Sequence, residues 1–306
     1  MNTPTTSKAD KADQAAQPAQ PPQPTQAGPA RKPPHPLPGI LRTGARRAAF
    51  EIRGYFRAGD TVFFTFLFPV MMLVIFSAAF SSQGNIGTAA DGSGGVSIAT
   101  YYMTGMLAAG MLLSGTQGLG IDIAVEKSEG TLARLGASPL SPVSYFIGKF
   151  GQVLVTGTVQ AALILLVARF AFGVELPSEP GRWLTFAWVF LLGTAVAALL
   201  GVALSAVPRT GKSATAVVLP PVLILQFISG VYLQFSMLPE WLQNIASVFP
   251  LRWMAQGMRA AFLPEVFATA EPAGEWGLGL VCAVLVGWLI AGVALSALTF
   301  RWSRRS

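Results

Sequence analysis

Six long stretches almost free of charge constrain this chain more than anything else: residues 61–80, 101–121, 145–172, 183–207, 214–235 and 276–298. A bilayer core about 30 Å thick is crossed by about 20 helical residues, and every one of these runs reaches that length. Between Asp60 and Asp122 the only ionisable side chain apart from Tyr101 and Tyr102 is Asp91. With 52% hydrophobic and 11% charged residues, lipid rather than water is the expected solvent. Transmembrane strands would show short alternating segments, which runs this continuous exclude. The expected fold is all-α, a polytopic membrane protein of six transmembrane helices.

Two segments precede the first run. Residues 1–38 are rich in Pro, Gln and Ala and contain no apolar run, so they predict a disordered tail. The tail has neither the charged start nor the apolar stretch of a cleaved signal, which leaves insertion to the first span. Residues 39–58 read as an interfacial amphipathic helix. At about 100° per residue, Arg42, Arg46, Arg53 and Arg57 share a narrow arc, opposite Leu41, Ala45, Ala48, Ile52, Tyr55 and Phe56. Such a helix is expected to lie flat, its arginines on lipid phosphates and its apolar side in the acyl boundary. Residues 59–306 form the six-span domain.

The basic residues orient the chain. With the N-terminus inside, 17 of the 21 lysines and arginines fall on inner segments, and only Arg169, Arg182, Arg252 and Arg259 fall outside. That asymmetry predicts cytoplasmic termini. A pI near 9.9 therefore reflects membrane orientation, not nucleic-acid binding, because the positives are dispersed between apolar runs. Pro69, Pro220 and Pro221 predict helix kinks. The last outer segment, 236–275, carries two apolar helical stripes, around Trp241 and Trp253, expected to dip into or lie on the outer leaflet.

Catalytic chemistry finds little support. His35 is the single histidine and sits in the tail, while Cys282 is the single cysteine and sits in an apolar run. Neither a nucleophile–histidine arrangement nor a cysteine-based metal cage can be built from these, and no metal site is expected. The stretch Ala206 to Ser213 matches a loose phosphate-loop pattern with alanine replacing the first glycine. It joins two apolar helices where that motif requires a strand before it. Ion coupling would place an acid near the bilayer centre, and none of the fourteen acids lies mid-span. Among uncharged polar groups within the spans, Gln117 and Gln226 are candidates for a substrate pathway, with interhelical hydrogen bonding as the competing role.

The most informative segment is the inner loop after the second span: Glu126, Lys127, Ser128, Glu129, Gly130, Thr131, Leu132, Ala133, Arg134, then Ser138-Pro-Leu-Ser141, Tyr145 and Gly148-Lys149. Together with Pro239-Glu-Trp-Leu242 and Phe249-Pro-Leu-Arg-Trp253, it resembles the type-2 export family of ABC transporter permeases, and most of all the drug-export membrane subunits of the daunorubicin-resistance kind. The likeness runs from about Ile40 to the C-terminus. It implies a non-enzymatic permease in a bacterial plasma membrane, working as a homo- or heterodimer. A separate ATP-binding subunit would hold ATP and magnesium, so this chain needs no cofactor of its own. The loop would be a coupling helix docking on that subunit through Glu126, Glu129, Gly130, Thr131, Leu132 and Arg134. The cargo implied is an amphipathic or hydrophobic compound. The alternatives are an ion-coupled transporter or channel without an ATPase partner, and a polysaccharide-exporting permease of the same family.

Overall fold

The computed structural model describes residues 39–86 and 95–300, and the predicted tail and Arg301, Arg304 and Arg305 lie outside them. The chain is built of helices: α1 (Ile40–Arg57), α2 (Gly59–Ala79), α3 (Ile98–Leu112), α4 (Gly120–Ser128), α5 (Thr131–Gly136), α6 (Pro142–Phe172), α7 (Pro180–Leu204), α8 (Gly211–Ile228), α9 (Glu240–Val248), α10 (Pro250–Phe262) and α11 (Leu278–Thr299). Among the described residues, paired extended backbone is confined to a single antiparallel bridge, Ile86 with Val96. Among the described residues, six helical spans are long and apolar enough to cross a membrane. The second runs from Ile98 to Ser128 as one rod, longer than the run 101–121 that suggested it.

Local chemistry sets the helix ends. Ser97 and Ser141 cap α3 and α6 by accepting the backbone N–H of Thr100 and Ser144, and Pro142 occupies the first turn of α6, where its missing donor costs nothing. Thr210 and Ser213 close a reciprocal capping box at the start of α8. Gly173 ends α6 in the left-handed region that glycine adopts without strain. The fifth span stops at Ile228, seven residues before the end of its apolar run, because Gly230 turns the chain at φ 78°. Pro69 lies inside α2, and Pro220 and Pro221 inside α8, without ending either helix.

The central rod is α3, every residue of which is buried, with α2, α6, α7 and α10 around it. Its continuation, Leu113–Leu119, widens to a π-helical turn before α4. Small residues there let backbones meet: a Cβ on Gly115 would lie 2.7 Å from Ala197, and one on Gly120 would lie 3.2 Å from the Gly201 carbonyl. Polar groups inside the bundle bond between helices. Ser114 donates to Gln160 at 3.0 Å, Gln160 to the Thr65 carbonyl at 3.0 Å, and Thr116 to the Ala197 carbonyl at 2.9 Å. The outward faces remain apolar, with Phe64, Ile224, Ile290 and Leu298 all more than half exposed, as a lipid-facing surface requires.

The two apolar stripes of the last outer segment divide. On α9, Trp241, Ile245 and Val248 are exposed, as an interfacial helix would have them. On α10 every residue is buried, so this helix is inserted among α3, α7 and α11 and does not lie on a surface.

Candidate functional site

At the end of the bundle opposite α10, the second span leads into a sharp corner. The rod closes at Ser128, Glu129 continues in helical geometry, and Gly130 at φ 73° reverses the chain into α5. Any side chain at Gly130 would be strained there, which is why glycine sits between two helices at this point. Lys127, Ser128, Glu129, Ala133 and Arg134 are exposed on the corner, and Arg134 donates to the Thr131 hydroxyl at 3.0 Å. Thr131 and Gly130 are half-buried.

Two of the six residues expected to meet a partner face inward. Leu132 is 4% exposed, packed in a cluster with Leu119, Ile123, Tyr145 and Val202. It is a knob in this chain's own core, because α5 folds back under the bundle and takes its apolar side chains, Leu132 and the half-buried Leu135, with it. The Glu126 carboxylate is likewise turned in, accepting from the Tyr145 hydroxyl at 2.6 Å and lying 2.8 Å from the Lys149 ammonium. Glu129 and Arg134 are the charged residues of the six that face out.

Lys149 is the centre of this arrangement. It is 2% exposed, yet it reaches Glu126 on α4 and, at 3.2 Å, Glu51 on α1. Arg47 pairs with Glu51 one turn away and stands 3.8 Å from Glu126. A buried cation between two carboxylates, with a tyrosine hydroxyl on one of them, is how such charges are retained in a low-dielectric setting.

The same network explains the seat of α1. Its packed face carries Gly44, Arg47, Ala48 and Glu51, not the apolar stripe alone, and a Cβ on Gly44 would come within 2.7 Å of Ile147, or on Gly151 within 2.9 Å of Ala48. Half of the stripe expected in the acyl boundary is instead packed within the protein: Ala48, Ile52 and Tyr55 are half-buried, Ala48 against Gly151 of α6 and Tyr55 against Phe66 of α2. Leu41 and Phe56 stay exposed, as do Arg42, Arg46, Arg53 and Arg57.

Sequence reasoning placed Tyr145 and Lys149 in the informative segment but missed Glu51 and Arg47 and the cluster that joins all four, although a signal was present. Arg47 is the one arginine of α1 outside the exposed arc, and it stands four residues before that helix's only acid. Gln117 and Gln226 are not brought together. Gln117 sits deep toward the α5 end, and Gln226 is fully buried near the far end of α8, bonded by the Tyr232 hydroxyl. Counted from Gly211, which packs against Val125, Gln226 lies fifteen residues along α8 and Gln117 eight along the second span, so they are about 10 Å apart along the helix axes at ~1.5 Å per residue.

Beside the corner lies a cleft of about 1130 Å³, walled by α4, α5, the α7–α8 turn and the end of α11. The phosphate-loop lookalike forms one side of it as a helix–turn–helix, with α7 where a nucleotide site would need a strand. The rim carries Lys127, Glu129, Arg209 and Lys212.

A six-span bundle with a charged, internally braced helical corner at one end is the architecture of a polytopic membrane protein. The family model for ABC-2 family transporter proteins matches residues 88–298, and the chain belongs to that family. It is also 26% identical over 167 residues to the probable multidrug ABC transporter permease YbhR of Escherichia coli strain K12, and to the protein of that name from Escherichia coli O157:H7. The alignment covers 53% of this chain and 44% of the relative, so the matched part is less than half of that protein's length.

Proposed function

We propose that the chain is the membrane-spanning subunit of an ATP-driven ABC exporter, coupled to a separate ATPase subunit through the α4–α5 corner. The observation that carries this reading is the bracing of the corner. Lys149 joins α4, α6 and α1 in one buried ionic cluster, so a push on α5 is passed to the bundle and not absorbed by a loose loop. Glu129 and Arg134 are the contacts offered to the partner, and the adjacent cleft gives room for a partner segment. ATP and magnesium belong to the partner in this scheme.

The basic residues support an inside location for the corner and both termini, in a bacterial plasma membrane. The outward apolar faces of α2, α8 and α11 offer surface for a second permease, and a dimer with two ATPases is the expected assembly. The cargo proposed is an amphipathic or hydrophobic compound, in keeping with the multidrug name of the relative.

Copurification with a soluble ABC ATPase, followed by cargo-stimulated ATP hydrolysis in reconstituted vesicles, tests the reading. Hydrolysis that rises with an added amphipathic compound supports it. Transport by the chain without an ATPase would instead make it an ion-coupled carrier or a channel.

A further inference from the structure

The cleft beside the corner is apolar within and basic at its rim. Ile123, Leu132 and Phe300 are among its walls, while Lys127, Arg209 and Lys212 stand at the rim against one carboxylate, Glu129. All four charged side chains are exposed. Lys127 donates to the Ala206 carbonyl at 3.3 Å, which ties α4 to the α7–α8 turn but brings no counter-charge. Among the described residues none of the three cations is in an ion pair, so the rim keeps an excess of positive charge. In open water such charges need no partner, and the depth of the cleft is what gives them one.

Helix length fixes that depth. α8 begins at Gly211 and has 18 residues, and α11 ends at Thr299 after 22, so the two spans are ~27 and ~33 Å long against a hydrocarbon core about 30 Å thick. Gly211 and Thr299 both line the cleft, which therefore opens where acyl chains give way to headgroups. Val207 and Leu298, each next in sequence to a wall residue, are 59% and 78% exposed, as side chains that touch acyl chains are. Basic residues at this level meet lipid phosphates, and an arginine beside a lysine suits one phosphate group. We infer that the cleft seats the headgroup of one anionic phospholipid from the leaflet on the corner's side. Its phosphate lies among Arg209, Lys212 and Lys127, and its glycerol and first acyl carbons lie on the apolar wall. At about 1130 Å³ the cleft exceeds what a drug-sized ligand fills, so the headgroup leaves room for the partner segment proposed above.

The test titrates the full chain, purified in a neutral detergent without any ATPase, with phosphatidylglycerol or phosphatidylcholine and counts the retained lipid by native mass spectrometry. Wild type is expected to retain one phosphatidylglycerol per chain at a concentration several-fold below that needed for phosphatidylcholine. Arg209→Gln with Lys212→Gln, at two exposed positions, brings the two lipids level. Arg53→Gln with Arg57→Gln, an equal loss of charge on α1, keeps the preference. Glu129→Gln, which removes the opposing carboxylate, strengthens it. Equal retention of the two lipids by wild type overturns the inference and leaves the rim to an acidic segment of a protein partner. A preference that survives the loss of Arg209 and Lys212 but falls with the α1 pair overturns it too. So does full displacement by glycerol phosphate, which would mark a site for a soluble anion. Because no ATPase is present, none of these results bears on the coupling assignment, which the hydrolysis assay decides separately.

Discussion

Lys149 stands 2.8 Å from Glu126 and 3.2 Å from Glu51, so one buried ammonium fastens the helix that forms the corner to the helix lying along the bundle's flank. Three segments far apart in sequence depend on this contact. Replacing the cation by methionine leaves two largely buried carboxylates facing each other. Lys149→Met is expected to cost about 3–5 kcal/mol of stability, as breaking a buried pair does. Adding Glu126→Gln alone, which leaves Arg47 paired with Glu51, removes the stranded charge and is expected to recover most of that loss. Thermal unfolding of the detergent-purified variants checks both halves.

Leu132 and Glu129 separate folding from coupling. Leu132→Ala empties a packed site and is expected to destabilise by about 2–5 kcal/mol. Glu129→Ala, on the exposed side of the same corner, is expected to change stability by less than about 0.5 kcal/mol while lowering the ratio of transport to ATP hydrolysis. Unfolding midpoints and the coupled assay, run on the same preparations, show whether the two effects part in this way.

The six spans were legible because lipid demands neutral runs of a set length, and such runs stand out against any background. The corner was legible from Gly130 and its charged neighbours. What remained hidden depended on direction. The sequence around Leu132 does not say that α5 folds back, so an apolar residue in a charged loop reads as a knob for a partner. Lys149 reads as one basic residue of the motif after the inner loop until α1 is seen to bring Glu51 against it. The burial of α10 was hidden for a similar reason: Arg252 and Arg259 look like outer-face charges until Arg259 is seen to pair with Glu271 and Arg252 to bond Gln256 and lie over Phe235 and Trp253.

Helix approach at the π-helical turn is the third test. A Cβ on Gly115 would fall 2.7 Å from the Ala197 backbone, which cannot move aside, whereas one on Gly287 meets nothing within 4 Å. Gly115→Ala is expected to cost about 1–3 kcal/mol by overpacking and Gly287→Ala next to nothing. Equal unfolding midpoints for the two would show that α7 does not pack on the second span as described.

The central claim, that the α4–α5 corner is where an ATPase acts, is tested most directly by site-specific cross-linking. In a Cys282→Ala background, Arg134→Cys is combined with the ATPase subunit and a short bifunctional thiol–amine reagent, with Ala273→Cys at the opposite end as the comparison. A covalent permease–ATPase product from position 134 and none from position 273 is the predicted result. A product from position 273 alone, with the complex demonstrably assembled, would contradict the account.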